Sequence, residues 1–149
     1  MVSNDYCIFY AEDDPEDQEL FRDVVSEINA ELDLHIQNDG QELIDQLHNP
    51  PPKPRLVFLD LNMPRKNGLQ ALREIRQSEH LKNIPVIIFT TSDDTNAIEV
   101  TKDLGASIFI TKPSFFSSFK KAISHCLTMD WSKFNPSQEK FVLSFKHYD

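Results

Sequence analysis

The sequence contains few glycines and no long apolar run. Its three glycines, Gly40, Gly68 and Gly105, form neither G-x-x-x-x-G-K nor G-x-G-x-x-G, so a backbone cradle for nucleotide phosphates is not expected. No apolar run approaches the roughly 20 residues that cross a bilayer. Residues 1–5 also lack the basic and apolar regions of a signal peptide. These absences predict a cytoplasmic protein without membrane contact.

Basic charge and cysteine are also scarce. Lysine and arginine total 15 against 24 acidic residues, for a net charge of -9, which argues against nucleic-acid binding. Cys7 and Cys126 form no C-x-x-C pair, and the five histidines show no zinc-binding spacing. We therefore expect both cysteines to be buried apolar fillers, with no disulfide and no metal bound to them.

What the sequence does contain is a regular alternation of strand-like and helix-like segments. Apolar or alternating segments predict strands at 6–11, 32–36, 56–60, 85–90 and 107–111. Five stretches of helical periodicity follow them, the first started by Asp14-Pro15 and the fourth ended by Gly105. Continuously apolar strands are typical of a sheet covered on both faces. The pattern predicts an α/β domain with a doubly wound parallel sheet.

Polar side chains stand at the predicted carboxyl ends of four strands. Glu12 and Asp13 follow the first strand, Asp60 the third, Thr90 the fourth and Lys112 the fifth. Functional sites of such sheets lie beyond these ends. Each signal also has a simpler interpretation: Asp60 or the acids at 12–14 as helix caps, and Lys112 as a solvated side chain. Neither explains why four strand ends carry polar groups to one rim.

The chemistry of this rim suits phosphoryl transfer. Three neighbouring carboxylates repel one another unless a cation lies among them, and their hard oxygens suit Mg²⁺. A carboxylate can attack phosphorus to form an aspartyl phosphate. The Lys112 ammonium would neutralise the transferring group, and the Thr90 hydroxyl would donate a hydrogen bond to it.

With these residues in place, the sequence resembles the receiver domain of two-component response regulators over residues 5 to 128. The matching motifs are Glu12-Asp13, Asp60-Leu61-Asn62-Met63-Pro64 with Gly68, Thr90 and Lys112-Pro113. Stand-alone receivers paired with phytochrome-type and hybrid kinases are similar in the Thr90-Thr91-Ser92 segment, the proline-rich loop at 50–54 and the segment 80–85. The resemblance implies a flavodoxin-like (βα)5 fold, with five parallel strands in the order 2-1-3-4-5 and helices on both faces.

The resemblance also implies a role for each rim residue. Asp60 would accept a phosphoryl group from a phosphohistidine on a sensor histidine kinase or phosphotransfer protein. The ion, Mg²⁺ or Mn²⁺, would be held by Glu12, Asp13, Asp60 and the backbone carbonyl of Asn62. Thr90 and Lys112 would contact the phosphate. Thr91 departs from the very small residue usual after Thr90 and would narrow access to Asp60.

A conformational switch is implied as well. Thr90 would move toward the phosphate, Phe109 would turn inward, and the face formed by the fourth helix, fifth strand and fifth helix would change. Phe109 as plain core is the simpler interpretation. Phe115, Phe116 and Phe119 are expected in the core, although Phe116 lies off the main helical stripe and is a candidate partner contact.

Residues 1–129 are predicted to form the receiver domain and residues 130–149 an aromatic extension without a separate output domain. Signals would therefore leave through contacts with a downstream protein. The extension carries Trp131, Phe134, Phe141, Phe145 and Tyr148. Two interpretations stay open for it: packing on its own domain, or a homodimer or partner surface.

Two other functions compete with the switch. One is a receiver-like module that binds partners without phosphorylation. The other is an enzyme that hydrolyses phosphomonoesters through an aspartyl phosphate, but phosphatases resembling haloacid dehalogenases carry D-x-D after their first strand. Here Asp60 and Asn62 follow the third strand. We therefore expect no enzyme activity beyond self-phosphorylation and autodephosphorylation.

Overall fold

Helices and strands alternate along the whole described part of the chain. The computed structural model describes residues 7–49 and 54–145, so Tyr6, Tyr148 and the prolines at 50–52 lie outside the described residues. The elements are β1 (Cys7–Ala11), α1 (Pro15–Ile28), β2 (Asp33–Gln37), α2 (Gly40–His48), β3 (Leu56–Leu59), α3 (Gly68–Gln77), β4 (Val86–Thr90), α4 (Thr95–Asp103), β5 (Ile108–Thr111), α5 (Phe116–Thr128), a 3₁₀ turn (Trp131–Lys133) and β6 (Val142–Leu143). None of the helices within these ranges has the length and apolarity needed to cross a membrane.

Local signals set the helix ends. The Asp14 carboxylate accepts a hydrogen bond of 2.9 Å from the Glu16 amide and Pro15 begins α1, which confirms the predicted start. Asn67 and Gln70 form a reciprocal capping box at the start of α3. Gly105 follows α4 with a φ of 96°, a left-handed conformation that costs other residues free energy.

All strands pair in parallel, in the order β2-β1-β3-β4-β5-β6. The predicted order of the first five strands is confirmed, but the predicted total of five is wrong. Val142 and Leu143 of the extension pair with Phe109 and Ile110 of β5 as a sixth strand. A two-residue strand is too short to show any periodicity in the sequence.

The sheet separates two apolar cores because successive strand side chains point to opposite faces. On one face, α2 and α3 pack over Phe9, Val57, Ile88 and Phe109. On the other, α1 and α5 cover an aromatic cluster of five fully or almost fully buried rings, Tyr10, Phe21, Phe58, Phe89 and Phe119. Each such ring contributes roughly 1.5–3 kcal/mol by burial, so the strands that deliver the rim residues are firmly held.

The aromatic extension folds back on the domain. Phe141 and Val142 pack against the first core, while Trp131, Phe134, Leu143 and Phe145 pack against the second. The Phe109 amide donates a 2.9 Å hydrogen bond to the Phe141 carbonyl. Of the two interpretations of this segment, packing on its own domain is the one observed.

The expected core positions at the start of α5 are only partly confirmed. Phe119 is buried, but Phe115 is 58% exposed and Phe116 is 42% exposed. The predicted burial is wrong for both, although exposure of Phe116 agrees with its alternative interpretation as a residue off the main stripe. The helix begins at Phe116. Phe115 therefore occupies the N-cap and lies outside the helical stripe on which the prediction relied.

Candidate functional site

The ends of β1, β3, β4 and β5 carry the predicted residues to one rim of the sheet. Backbone hydrogen bonds fix their positions: the Glu12 amide donates to the Gln37 carbonyl at 2.9 Å, and the Asp60 amide to the Ala11 carbonyl at 3.1 Å. The Lys112 amide donates to the Thr90 carbonyl at 2.7 Å. The rim residues thus continue the strand ladders, and their placement follows from the register of the sheet.

Three carboxylates meet at this rim. Glu12, Asp13 and Asp60 each offer an oxygen, and these oxygens lie within 4.8 Å of one another. Glu12 is 1% exposed and Asp60 is 5% exposed, whereas Asp13 is exposed to solvent. A set of hard oxygen donors with one open side is compatible with a divalent cation that keeps part of its water shell.

Burial raises the pKa of both Glu12 and Asp60. For Asp60, the Lys112 charge and hydrogen bonds from the Thr90 hydroxyl and the Leu61 amide act in the opposite direction, while Asp13 adds to the increase. The net effect shows that the folded protein disfavours negative charge here. A cation at this position would relieve that electrostatic cost.

Lys112 is buried at the rim, with a side chain only 6% exposed. Its ammonium donates hydrogen bonds to Glu12 and, at 2.8 Å, to Asp17. Burial lowers the pKa of Lys112, but the hydrogen bonds to Asp17 and Glu12 outweigh it and the net pKa is raised. The Lys112 ammonium is thus paired with two carboxylates of the site, and the interpretation as a solvated lysine is wrong.

Two residues of this network were missed in the sequence. Asp17 lies in the first turn of α1, where an acid is expected for the helix dipole alone. Tyr10 alternates into the aromatic core, yet its hydroxyl donates to Glu12 at 3.2 Å. Asp13 precedes the N-cap of α1, so no helical spacing in the sequence relates it to Asp17 or indicated that Asp17 reaches the rim.

Thr90 is buried at the end of β4, and its hydroxyl is close enough to lower the pKa of the Asp60 carboxyl. The same hydroxyl accepts a 3.4 Å hydrogen bond from the Ser92 amide. Asn62 is exposed and its side-chain amide donates to the Ser92 hydroxyl at 3.3 Å. Thr91 is exposed beside them. The roles of the Asn62 carbonyl as a metal ligand and of Thr91 as a restriction stay predictions.

Phe109 is fully buried in the first core. Its ring centroid lies 6.3 Å from that of Phe141 in the extension. The structure therefore shows the inward position of this side chain, which both the switch and the plain-core interpretation allow. Its role as a switch with Thr90 stays a prediction.

Gly68 allows the loop after Asp60 to pack closely on α3. A Cβ atom at Gly68 would lie 2.3 Å from the Asp60 carbonyl oxygen, and the Gly68 amide donates to the Leu61 carbonyl at 3.0 Å. Any side chain at this position would displace the backbone that carries Asp60. Steric crowding against the Asp60 backbone therefore explains why this position of the motif is a glycine.

Sequence comparisons agree with this geometry. The response regulator receiver domain family matches residues 8–124. Response regulator Rcp1 of Synechocystis sp. is 33% identical over 110 residues, which cover 70% of this chain and 75% of Rcp1. Response regulator RR06 of Streptococcus pneumoniae is 34% identical over 100 residues, 66% of this chain but 44% of RR06. The chain thus corresponds to less than half of some longer relatives.

Solved structures of response regulators are similar to this chain. The Mn²⁺-bound form of response regulator Rcp1 superposes with a TM-score of 0.76 at 27% identity, covering 87% of this chain and 97% of that one. The phosphorylated cyanobacterial phytochrome response regulator RcpA gives a TM-score of 0.77 at 28% identity, covering 87% and 96%. Fold, rim residues and family match converge, and the chain belongs to the response regulator receiver domain family.

Proposed function

We propose that this chain is a phosphorylation-dependent switch of a two-component phosphorelay, with Asp60 as the phosphoacceptor. The observation that carries the proposal is the geometry around Asp60. One of its carboxylate oxygens lies within 4.8 Å of oxygens of Glu12 and Asp13, and the Thr90 hydroxyl is close enough to lower the pKa of Asp60. Lys112 lies close enough for its charge to act on the Asp60 carboxylate.

The proposed reaction is a transfer between two side chains. An Asp60 carboxylate oxygen attacks the phosphorus of a phosphohistidine on a sensor histidine kinase or phosphotransfer protein. The oxygen–phosphorus bond forms, the phosphorus–nitrogen bond breaks, and the nitrogen keeps the electron pair. Water later attacks the aspartyl phosphate, which returns the carboxylate and releases inorganic phosphate.

Each rim residue has a role in this reaction. Lys112 changes partners from Glu12 and Asp17 to the phosphoryl oxygens, and the Thr90 hydroxyl donates to one of them. Glu12, Asp13, Asp60 and the Asn62 carbonyl would hold Mg²⁺ or Mn²⁺. Such an ion would supply positive charge that stabilises the transferring group. Carboxylates are the preferred ligands of these ions, so the residues present fit this group.

The remaining parts of the proposal concern context. The switch acts in the cytoplasm and has no enzyme activity beyond self-phosphorylation from phosphodonors and autodephosphorylation. Its partners are the kinase or phosphotransfer protein, a downstream protein and, as a further candidate, a second copy of itself. It binds neither nucleic acid nor membrane, consistent with the net charge of -9.

The output face predicted from α4, β5 and α5 needs one revision. β6 pairs with β5, so a partner at this face meets the extension beside α4 and α5. Phe116, 42% exposed at the start of α5, lies on this side of the domain. We propose that changes at Thr90 and Phe109 reach a partner through this combined surface.

Intact mass after incubation with acetyl phosphate and Mg²⁺ tests the proposal. A single phosphoryl adduct is expected in the wild type and in Asp93→Asn, a control that removes an exposed acid following β4. Asp60→Asn should show no adduct, and chelation of Mg²⁺ should abolish it in the wild type. An adduct retained in Asp60→Asn, or absent from the wild type, would overturn the proposed chemistry.

A further inference from the structure

A second group of metal-binding side chains lies at the opposite end of the sheet. Cys7 begins β1 and Asp33 begins β2, and the two are register partners in parallel strands. His35 follows two residues after Asp33 and therefore points to the same face. One ligand atom from each residue, the thiol sulfur, a carboxylate oxygen and an imidazole nitrogen, lies within 4.8 Å of the other two.

The His35 imidazole provides independent evidence for a missing partner. Its Nε2 atom is buried and makes no hydrogen bond to the described residues. Asp33 Oδ1 is only 3.1 Å away, but the contact lacks hydrogen-bond geometry. A buried ring nitrogen without a hydrogen bond costs free energy. Two potential ligand atoms that lie close together without a hydrogen bond between them are compatible with a shared metal ion.

The neighbouring structure holds the three groups in place. The imidazole ring packs on Phe9, with centroids 5.6 Å apart, and the His35 carbonyl accepts a hydrogen bond from Gln37. Cys7 is fully buried, whereas the Asp33 side chain is 47% exposed. An ion would therefore enter from the Asp33 side, where water can complete its coordination.

The donor set selects the kind of metal. Sulfur and imidazole nitrogen suit Zn²⁺ and related ions rather than Mg²⁺. Around a tetrahedral zinc ion, such ligand atoms lie roughly 3.3 to 3.6 Å apart, given bonds of about 2.0 to 2.3 Å. The Asp33 and His35 atoms, 3.1 Å apart, are already near this spacing, and one ligand atom of each of the three residues lies within 4.8 Å of the other two. Thiolate and carboxylate together balance the charge of a divalent ion.

We propose that Cys7, Asp33 and His35 form a binding site for Zn²⁺ or a similar transition-metal ion, with water as the fourth ligand. On binding, the Cys7 thiol gives its proton to the buffer as the sulfur–metal bond forms. The site joins β1 to the edge strand β2 and stabilises their pairing. It is independent of the proposed phosphoryl transfer, because it uses none of the rim residues.

Co²⁺ titration of the chelator-treated full-length protein tests the proposal in reducing, oxygen-free buffer. With excess Mg²⁺ present to occupy the rim carboxylates, a thiolate-to-cobalt charge-transfer band that saturates at one equivalent and is displaced by Zn²⁺ is expected. Cys126 offers a matched control, since it is also a buried free thiol but packs in the other core. Cys126→Ser should keep the band and Cys7→Ser should lose it.

His35→Gln guards against misfolding of Cys7→Ser, because the His35 side chain is 27% exposed and its replacement stays polar. It should weaken Co²⁺ binding at least about 100-fold, more than loss of an outer hydrogen-bond partner. Asp60→Asn should leave the band unchanged. No band in the wild type, a band retained in Cys7→Ser, or unchanged affinity in His35→Gln would each overturn the proposal.

Discussion

The two ends of the sheet bring together side chains of different chemistry. At the carboxyl ends, three carboxylates surround a position beside a buried lysine. At the amino ends, a thiol, an imidazole and one carboxylate cluster without a lysine among them. β1 contributes to both, and its five residues separate them by roughly 17 Å. One strand can therefore supply hard ligands at one end and soft ligands at the other.

The difference in ligand type predicts that only the carboxyl end reacts with a phosphodonor. Asp60→Asn should have the largest effect on this reaction. We expect total loss of the phosphoryl adduct in this variant, while Cys7→Ser retains it, because the proposed acceptor lies at the carboxyl end. Mass spectrometry with acetyl phosphate measures both. Equal loss in the two variants would show that the ends are not separate.

The two ends should also prefer different metal ions, Mg²⁺ or Mn²⁺ at the carboxyl end and Zn²⁺ or Co²⁺ at the amino end. Asp13→Asn removes one of three carboxylates, so we expect Mn²⁺ binding to weaken about 10- to 100-fold. Electron paramagnetic resonance of free Mn²⁺ measures this effect. The Co²⁺–thiolate band of the same variant should be unchanged, and a parallel loss of both signals would contradict two sites.

The contribution of Asp60 to the free energy of unfolding should depend on pH. Burial raises the pKa of Asp60, so the folded state holds this proton more tightly than the unfolded chain does. The stability that this provides at low pH is lost as the pH rises through the raised pKa. With a chelator present at pH 7, the free energy of unfolding of Asp60→Asn should therefore exceed that of the wild type by on the order of 1 kcal/mol.

Urea unfolding across pH 4 to 8 checks this expectation. The difference in free energy of unfolding between Asp60→Asn and the wild type should be small at low pH and grow toward neutral pH. Saturating Mg²⁺ should reduce it, since the wild type binds the cation better. Lower stability of the variant at pH 7 would mean that the Lys112 and Thr90 interactions outweigh burial.

The smallest effect should be the influence of one end on the other. Asp33→Asn changes charge at the amino end, more than a Debye length from Asp60 at ordinary salt. We expect the rate of phosphorylation by acetyl phosphate to change by less than about twofold. A larger change would indicate coupling through β1.

Sequence reasoning captured the carboxyl end because its residues directly follow apolar strands. Asp60 and Lys112 are visible as charges that interrupt such runs, and prolines after both mark the strand ends. The amino end gave no comparable signal. Cys7 lies 26 residues before Asp33 in the sequence, and only the register of β1 and β2 brings the two together.

Other misses have equally specific causes. Asp17 resembled an ordinary acid of a helix start, and its partner Lys112 lies 95 residues away. Phe115 was predicted to be buried by extending a helical stripe one position beyond the helix. β6 is two residues long, and its existence depends on the partner strand rather than on its own pattern.

The short strand β6 also has a consequence for synthesis and solubility. Before residues 142–143 leave the ribosome, β5 ends the sheet with unpaired backbone groups that can pair with another nascent chain. Once β6 covers them, β2 is the open edge of the described sheet, and its Asp33 and His35 side chains discourage such pairing. The last part of the described chain to be translated is therefore also the part that pairs with the β5 edge.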